Sequence, residues 1–254
     1  MHRFFVENIL GDSVVISGSE AHHLKNVLRK KTGDVVFLFD GKGNEYEAKI
    51  VAPDLSRGLR NGEIELELIT KIKKDAEPKI KINLYQSIPR GKKFEFIIEK
   101  TTELGVAKII PIISERTVPN VVAGLNPAKH IRWQKIALAA AKQCGRTIIP
   151  EISVITDFES AVKFVFLNSS ESLSLILWEC EQKTTLKQII KICNLQSAIC
   201  NLFVGPEGGF SNLEIKLARK NKVIPVSLGK RILRTETAPI VVIANILYEL
   251  NEKK

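Results

Sequence analysis

The sequence predicts a two-part protein: a small β-barrel over residues 1–74, then an α/β domain with a mainly parallel sheet over residues 75–254. Three observations point there. Residues 1–74 hold several short β-prone runs, whereas the remainder alternates strand-like and helix-like segments. The first stretch carries a net charge of +1 and the second +9. The changeover falls in Lys71-Ile72-Lys73-Lys74-Asp75-Ala76-Glu77-Pro78, a polar run ending in proline that reads as a linker.

In the first part, Val14 to Ile16, Asp34 to Phe39, Tyr46 to Val51 and Glu63 to Leu68 read as strands. Asp40-Gly41-Lys42-Gly43-Asn44 is a hairpin turn by composition. Glu63 to Leu68 alternates strictly, which predicts one solvated face. Ser19 to Arg29 reads as one short helix opened by a serine cap. A small closed or nearly closed barrel follows, an architecture that often carries nucleic acid without proving that function.

In the second part, Ile80 to Tyr85 is a strand and Lys92 to Leu104 a helix with Phe94, Ile97, Ile98 and Thr101 inward. Ala107 to Ile113 is a strand and Lys129 to Gln143 a helix. Leu173 to Trp178, Asn201 to Val204 and Val223 to Ser227 are buried-type strands, and Ala238 to Leu250 is the closing helix. That order favours a parallel sheet, whose ligands bind beyond the carboxyl ends of its strands.

Composition narrows the function. Of 254 residues, 44% are hydrophobic and 26% charged, which is a globular balance. The net charge of +10 points to a polyanionic partner, nucleic acid first. The longest apolar runs are strand-sized, so no membrane span is expected. The opening residues have no long apolar core, and Cys144, Cys180, Cys193 and Cys200 lack metal-type spacing. A cytoplasmic protein with reduced thiols and no metal is the expectation. No serine–histidine–aspartate or cysteine–histidine arrangement is visible among the four histidines.

Two loops stand out. Val204-Gly205-Pro206-Glu207-Gly208-Gly209-Phe210 runs from a strand into Ser211-Asn212-Leu213-Glu214, a capping box. Its glycines permit close backbone approach to a ligand. It is neither a phosphate loop nor a dinucleotide fingerprint, and on spacing an ordinary strand-to-helix turn explains it equally well. The second loop, Ser227 to Pro239, carries Lys230, Arg231, Arg234 and Glu236 and ends with a proline suited to the first turn of the next helix. Its charge suits an anionic or nucleotide ligand, although a solvated basic turn is the commoner fate. Arg132, Lys135 and Lys142 on one helix, Arg146 after it, and Arg90-Gly91-Lys92-Lys93 add to the basic half. Glu95, Glu99 and Glu103 recur at four-residue steps, which calls for basic partners.

These two loops, with Arg3-Phe4-Phe5, His22 to Arg29, Arg90 to Val106 and Gln143-Cys144-Gly145-Arg146 in the same order, resemble the RsmE family. Its members are 16S ribosomal RNA uridine-N3 methyltransferases of the SPOUT class. Lys142 stands where many members carry an acid. The resemblance implies a PUA-like RNA-binding barrel and a SPOUT domain with a trefoil knot. Chain physics alone argues against a knot. It further implies S-adenosylmethionine bound by Leu177, Gly205, Gly208, Leu228, Gly229, Ile232, Leu233 and Thr237, and a homodimer acting on the small ribosomal subunit.

Transfer to uridine N3 requires removal of a weakly acidic proton or stabilisation of the resulting anion. Glu236 as base and Arg234 as cation are the candidates. Arg3, Arg29, Arg90, Lys92 and Arg116 are the expected RNA contacts. Two rivals stay open: an RNA-binding module without turnover, and an enzyme that holds another nucleotide in the glycine loop.

Overall fold

The computed structural model describes residues 2–9, 11–51, 62–73, 76–168, 172–192 and 199–250. Lys74 and Asp75 of the expected linker, and Cys193, lie outside the described residues. The chain divides into two compact units.

The first unit holds residues 1–77 together with Ala141–Ile149. Its strands are β1 (Arg3–Phe5), β2 (Ser13–Ile16), β3 (Val35–Phe39), β4 (Glu45–Ile50) and β5 (Ile64–Ile72). They form a sheet in the order β1-β3-β4-β5-β2, parallel only between β1 and β3. Phe4, Val36, Leu38, Ala48 and Leu66 are wholly buried in its core, where Leu24 joins them. At about 25 cal/mol per Å² of apolar area removed from water, the Phe, Val and Leu side chains contribute about 1.5–3 kcal/mol each.

Two local expectations need correction. The segment expected as one helix opened by Ser19 is α1 (Gly18–His22) followed by a π-turn over His23–Val27. Its cap position is Ser17, whose side chain makes no capping bond. The strict alternation in β5 fails at Glu65, which is only 4% exposed, because β5 is an interior strand flanked by β4 and β2.

Arg3 organises this unit. Its guanidinium pairs with Glu45 and donates to the carbonyls of Ala141, Lys142 and Arg146. It therefore gives donors to carbonyls in the last turn of the helix ending at Cys144 and just beyond it. Glu77 accepts from the Arg146 guanidinium and from the backbone N–H groups of Thr147 and Ile148. Lys142 pairs with Glu20 at 2.7 Å, so the base found there has an acid to meet.

The second unit holds Pro78–Ala140 and Pro150–Lys254. In chain order its elements are β6 (Lys81–Ser87), α2 (Lys93–Glu103), β7 (Lys108–Ile113), α3 (Pro119–Ala123), α4 (Pro127–Cys144, shared with the first unit), β8 (Glu151–Ile152) and β9 (Thr156–Asp157). There follow α5 (Phe158–Leu167), β10 (Ser172–Leu177), α6 (Leu186–Ile192), β11 (Ile199–Val204), α7 (Asn212–Lys220), β12 (Ile224–Val226) and α8 (Ala238–Glu249). The sheet runs β12-β10-β11-β6-β7-β8, with β9 also on β7, and its pairs are parallel.

Apolar strands explain burial on both faces of this sheet. Leu84, Ile109, Leu175 and Leu202 are fully buried. Asn83, Asn201 and Ser174 stand in register across β6, β11 and β10, and their side chains hydrogen-bond in sequence at 3.0 and 3.1 Å. A polar ladder in an apolar layer penalises a register slip, since each slipped group would lose its partner. On α2 the buried face is Phe94, Ile97, Ile98, Thr101 and Thr102. The outward Glu95 pairs with Arg132, and Glu99 and Glu103 both pair with Lys100. Among the described residues no helix is long and apolar enough to cross a membrane.

Candidate active site

A cleft of about 520 Å³ opens at the carboxyl ends of β10, β11 and β12, within the range of small-molecule sites. Three loops wall it, 177–179, 204–209 and 226–238, with Lys93 from the first turn of α2.

The 205–211 loop is shaped by its glycines and by the helix it opens. Ser211 and Glu214 form the expected capping box, and Ser211 Oγ also donates to Glu115. Gly209 sits at φ +66°, where a Cβ would lie 2.6 Å from Glu179 Oε1. Gly208 is covered by the Arg116 side chain, whose guanidinium donates to the Gly208 carbonyl at 2.7 Å. The glycines thus let the loop pack against Glu179 and Arg116 where a side chain would clash.

The 227–237 loop is bound to this wall from below. Thr235 Oγ1 donates to the Gly205 carbonyl, and Gln86 Nε2 at the end of β6 donates to Thr235 Oγ1. Gly229 adopts φ +121° with open space around it. Pro239 lies in the first turn of α8, as its fixed φ favours.

The charged groups form a row. Glu207 accepts from Lys93 Nζ at 2.8 Å and from the Arg90 backbone N–H at 3.1 Å. Burial raises the Glu207 carboxyl, but the Lys93 ammonium and the backbone N–H groups of Glu207 and Arg90 outweigh it and hold it below the ordinary carboxylate value. Lys93 Nζ also lies 3.8 Å from Glu236 Oε2, and Arg234 Nη1 lies 4.0 Å from Glu236 Oε1. Both separations exceed a hydrogen bond. Glu236 Oε2 is buried and has no hydrogen-bond partner among the described residues. A carboxylate on a cleft wall with no fixed hydrogen-bond donor can accept a proton from a bound group.

Leu177, Gly205, Gly208, Leu228, Gly229, Ile232, Leu233, Arg234 and Glu236 all line the cleft. Thr237 does not; it caps α8, and its N–H donates to the Arg234 carbonyl at 2.9 Å. Arg29, Arg90, Lys92 and Arg116 are exposed. Arg3 is a correction: at 6% exposure, with its guanidinium fully engaged, it braces the first unit and presents no charge to a solvent-borne RNA. Sequence reading missed Glu179 and Gln86, and it placed Lys93 in a basic run and Thr235 in the second loop without giving either a role. Nothing local marks the partners of Gln86, Lys93 and Thr235, which lie 30 to 149 residues away.

Comparison with known proteins gives this arrangement a class. Residues 76–247 match the family model described as an RNA methyltransferase domain, and residues 16–57 match the RNA methyltransferase PUA domain. The chain is 34% identical over 94% of its length to the ribosomal RNA small subunit methyltransferase E of Synechocystis, covering 74% of that protein. The protein of that name from Mesomycoplasma hyopneumoniae is 32% identical over 98% of this chain and 100% of its own. The crystal structure of the Neisseria gonorrhoeae protein of that name bound to S-adenosyl methionine superposes with a TM-score of 0.84 at 32% identity, covering 98% of each chain. The chain belongs to the ribosomal RNA small subunit methyltransferase E family. Its fold is accordingly a PUA-like β domain followed by an α/β domain of the trefoil-knotted SPOUT class.

Proposed function

We propose that this protein transfers the methyl group of S-adenosylmethionine to N3 of one uridine near the 3′ end of 16S ribosomal RNA. The observation that carries the reading is Glu236, held 3.8 and 4.0 Å from two cations on the floor of a glycine-walled cleft. The cleft volume and the Gly205 and Gly208 positions on its wall suit a donor of that size. When bound, that donor supplies an electrophilic methyl carbon on a sulfonium.

The protein's own groups do the rest. Leu177, Gly205, Gly208, Leu228, Gly229, Ile232 and Leu233 hold the donor, with Thr237 anchoring the helix that closes the loop. Glu236 takes the N3 proton, general-base help worth about 10²–10⁴ in rate. Arg234 faces the negative charge left on the pyrimidine. N3 lies on the pairing edge, so the uridine is unpaired or extruded when it reacts. Arg29, Arg90, Lys92 and Arg116 contact RNA phosphates.

Residues 1–74 form the RNA-binding domain and 75–254 the methyl-transfer domain, and the protein works in the cytoplasm on the small subunit as a homodimer.

The test is methyl transfer from labelled S-adenosylmethionine to small subunits lacking the modification, mapped by reverse transcription. A stop at one uridine near the 3′ end is expected, because methyl at N3 blocks pairing. RNA binding without incorporation would favour the binding-module alternative.

A further inference from the structure

We propose that Lys93 is a further catalytic residue, the fixed cation that stays beside the negative charge as it passes from Glu236 to the uracil ring. Glu207 is its positioning residue. This assignment rests on the methyl-transfer reading above.

The geometry separates anchoring from chemistry. Lys93 Nζ makes its close bond, 2.8 Å, to Glu207, which the Arg90 N–H also holds. The same ammonium lies 3.8 Å from Glu236 Oε2, too far to donate to it. Lys93 therefore supplies charge to Glu236 without hydrogen-bonding to it, and the carboxylate stays able to receive the substrate proton. Were Lys93 free to close on Glu236, a direct bond would compete with that proton. Glu207 holds it back.

The other cation within 4 Å of Glu236 among the described residues is Arg234, whose side chain is 84% exposed against 36% for Lys93. A solvated arginine must be ordered during the reaction, whereas the anchored ammonium is already in place, which is what makes a fixed charge effective. Lys230, Arg231 and Glu179 line the same cleft.

The step balances. The uridine N3–H bond breaks and its proton bonds to a Glu236 oxygen, so the negative charge moves to the pyrimidine. The electron pair on N3 forms the bond to the methyl carbon. The carbon–sulfur bond breaks with its pair remaining on sulfur, leaving a neutral thioether. The proton on Glu236 is returned to water as product leaves. Throughout the proton transfer Lys93 exchanges one anionic neighbour for another, which avoids stranding its own charge in the cleft.

The experiment compares wild type, Lys93→Met, Lys93→Arg and Glu207→Gln in single-turnover methyl transfer. The substrates are small subunits reconstituted with 16S RNA bearing uridine or 5-fluorouridine at the target position. Fluorine withdraws electrons and makes N3–H more acidic, so it relieves a defect in removing the proton or stabilising the anion it leaves, and does not relieve a defect in donor or RNA binding. Matched melting curves check folding, and calorimetry with S-adenosylmethionine checks the donor site. On uridine, Lys93→Met is expected to lose about 10²–10³-fold in kcat with donor affinity unchanged. Lys93→Arg should recover most of that rate, and Glu207→Gln should lose part of it. On 5-fluorouridine the deficit of Lys93→Met should shrink at least about tenfold, the effect of roughly one unit of acidity. An equal deficit on both substrates, or a defect confined to the KM for RNA, overturns this assignment alone. A wild type that methylates neither substrate overturns the methyl-transfer reading and this assignment with it.

Discussion

Thr235 Oγ1 donates to the Gly205 carbonyl oxygen at 2.7 Å, across 30 residues of sequence. That bond fastens the loop after β12 to the loop after β11, and Gln86 Nε2 completes the chain at 3.2 Å. Gly205 and Thr235 line the cleft and Gln86 does not, so the cleft's shape depends in part on a side chain set behind its wall.

Thr235→Val keeps the volume and removes the hydroxyl. It leaves the Gly205 carbonyl without this donor and Gln86 Nε2 without this acceptor, an unsatisfied-group penalty of about 1–3 kcal/mol. Chemical denaturation should show that loss, calorimetry should show donor affinity falling about tenfold, and Thr235→Ser should restore both. Wild-type stability in Thr235→Val would show that the clasp carries no weight.

At Gly209, alanine meets two obstacles. The left-handed φ of +66° costs a side chain about 1–2 kcal/mol, and the new Cβ would displace the Glu179 carboxylate from the cleft wall. Gly209→Ala should weaken S-adenosylmethionine binding while leaving RNA affinity as it was. Filter binding and calorimetry on the same preparation separate the two, and equal losses in both would argue against a local effect.

The Glu207 carboxyl is held below its ordinary value of 4.5. A group depressed on folding stabilises the protein above that value, and its contribution is lost as pH falls through the lower folded value. Melting temperatures of wild type and Glu207→Gln should therefore differ at neutral pH and converge below about pH 4.5. A gap that persists unchanged at acid pH would mean that Glu207 acts through packing.

Arg3 and the exposed basic residues should separate cleanly. Arg3→Ala removes the guanidinium beside buried Glu45, and breaking such a pair typically costs about 3–5 kcal/mol. Its RNA affinity should fall only as far as folding does. Arg29→Ala, Arg90→Ala, Lys92→Ala and Arg116→Ala should instead melt like wild type and each reduce the salt slope of RNA binding by about one. An Arg3→Ala protein that melts normally but binds RNA weakly would reverse the assignment made here for Arg3.

Much of this was legible locally. The inward face of α2, the capping box at Ser211 and Glu214, the proline opening α8 and the two loops each follow from patterns a few residues long. The period of apolar side chains and the chemistry of caps act at that range. Long-range placement was not legible. Arg3 is a surface cation by composition and a buried brace in the structure, because its partners come from residues 45 and 141–146. Glu65 obeys the alternation rule in sequence and breaks it in an interior strand.

The sequence by itself determined the class of the fold, the family and the two loops that wall the cleft, since each is written in short motifs and local periodicity. Only the tertiary structure decided which charges meet. Lys93 faces Glu207 and Glu236 because a parallel sheet brings the ends of β6, β11 and β12 to one edge. Electrostatic energy depends on distance in space, and the sequence separation of 114 between Lys93 and Glu207 gives no measure of it.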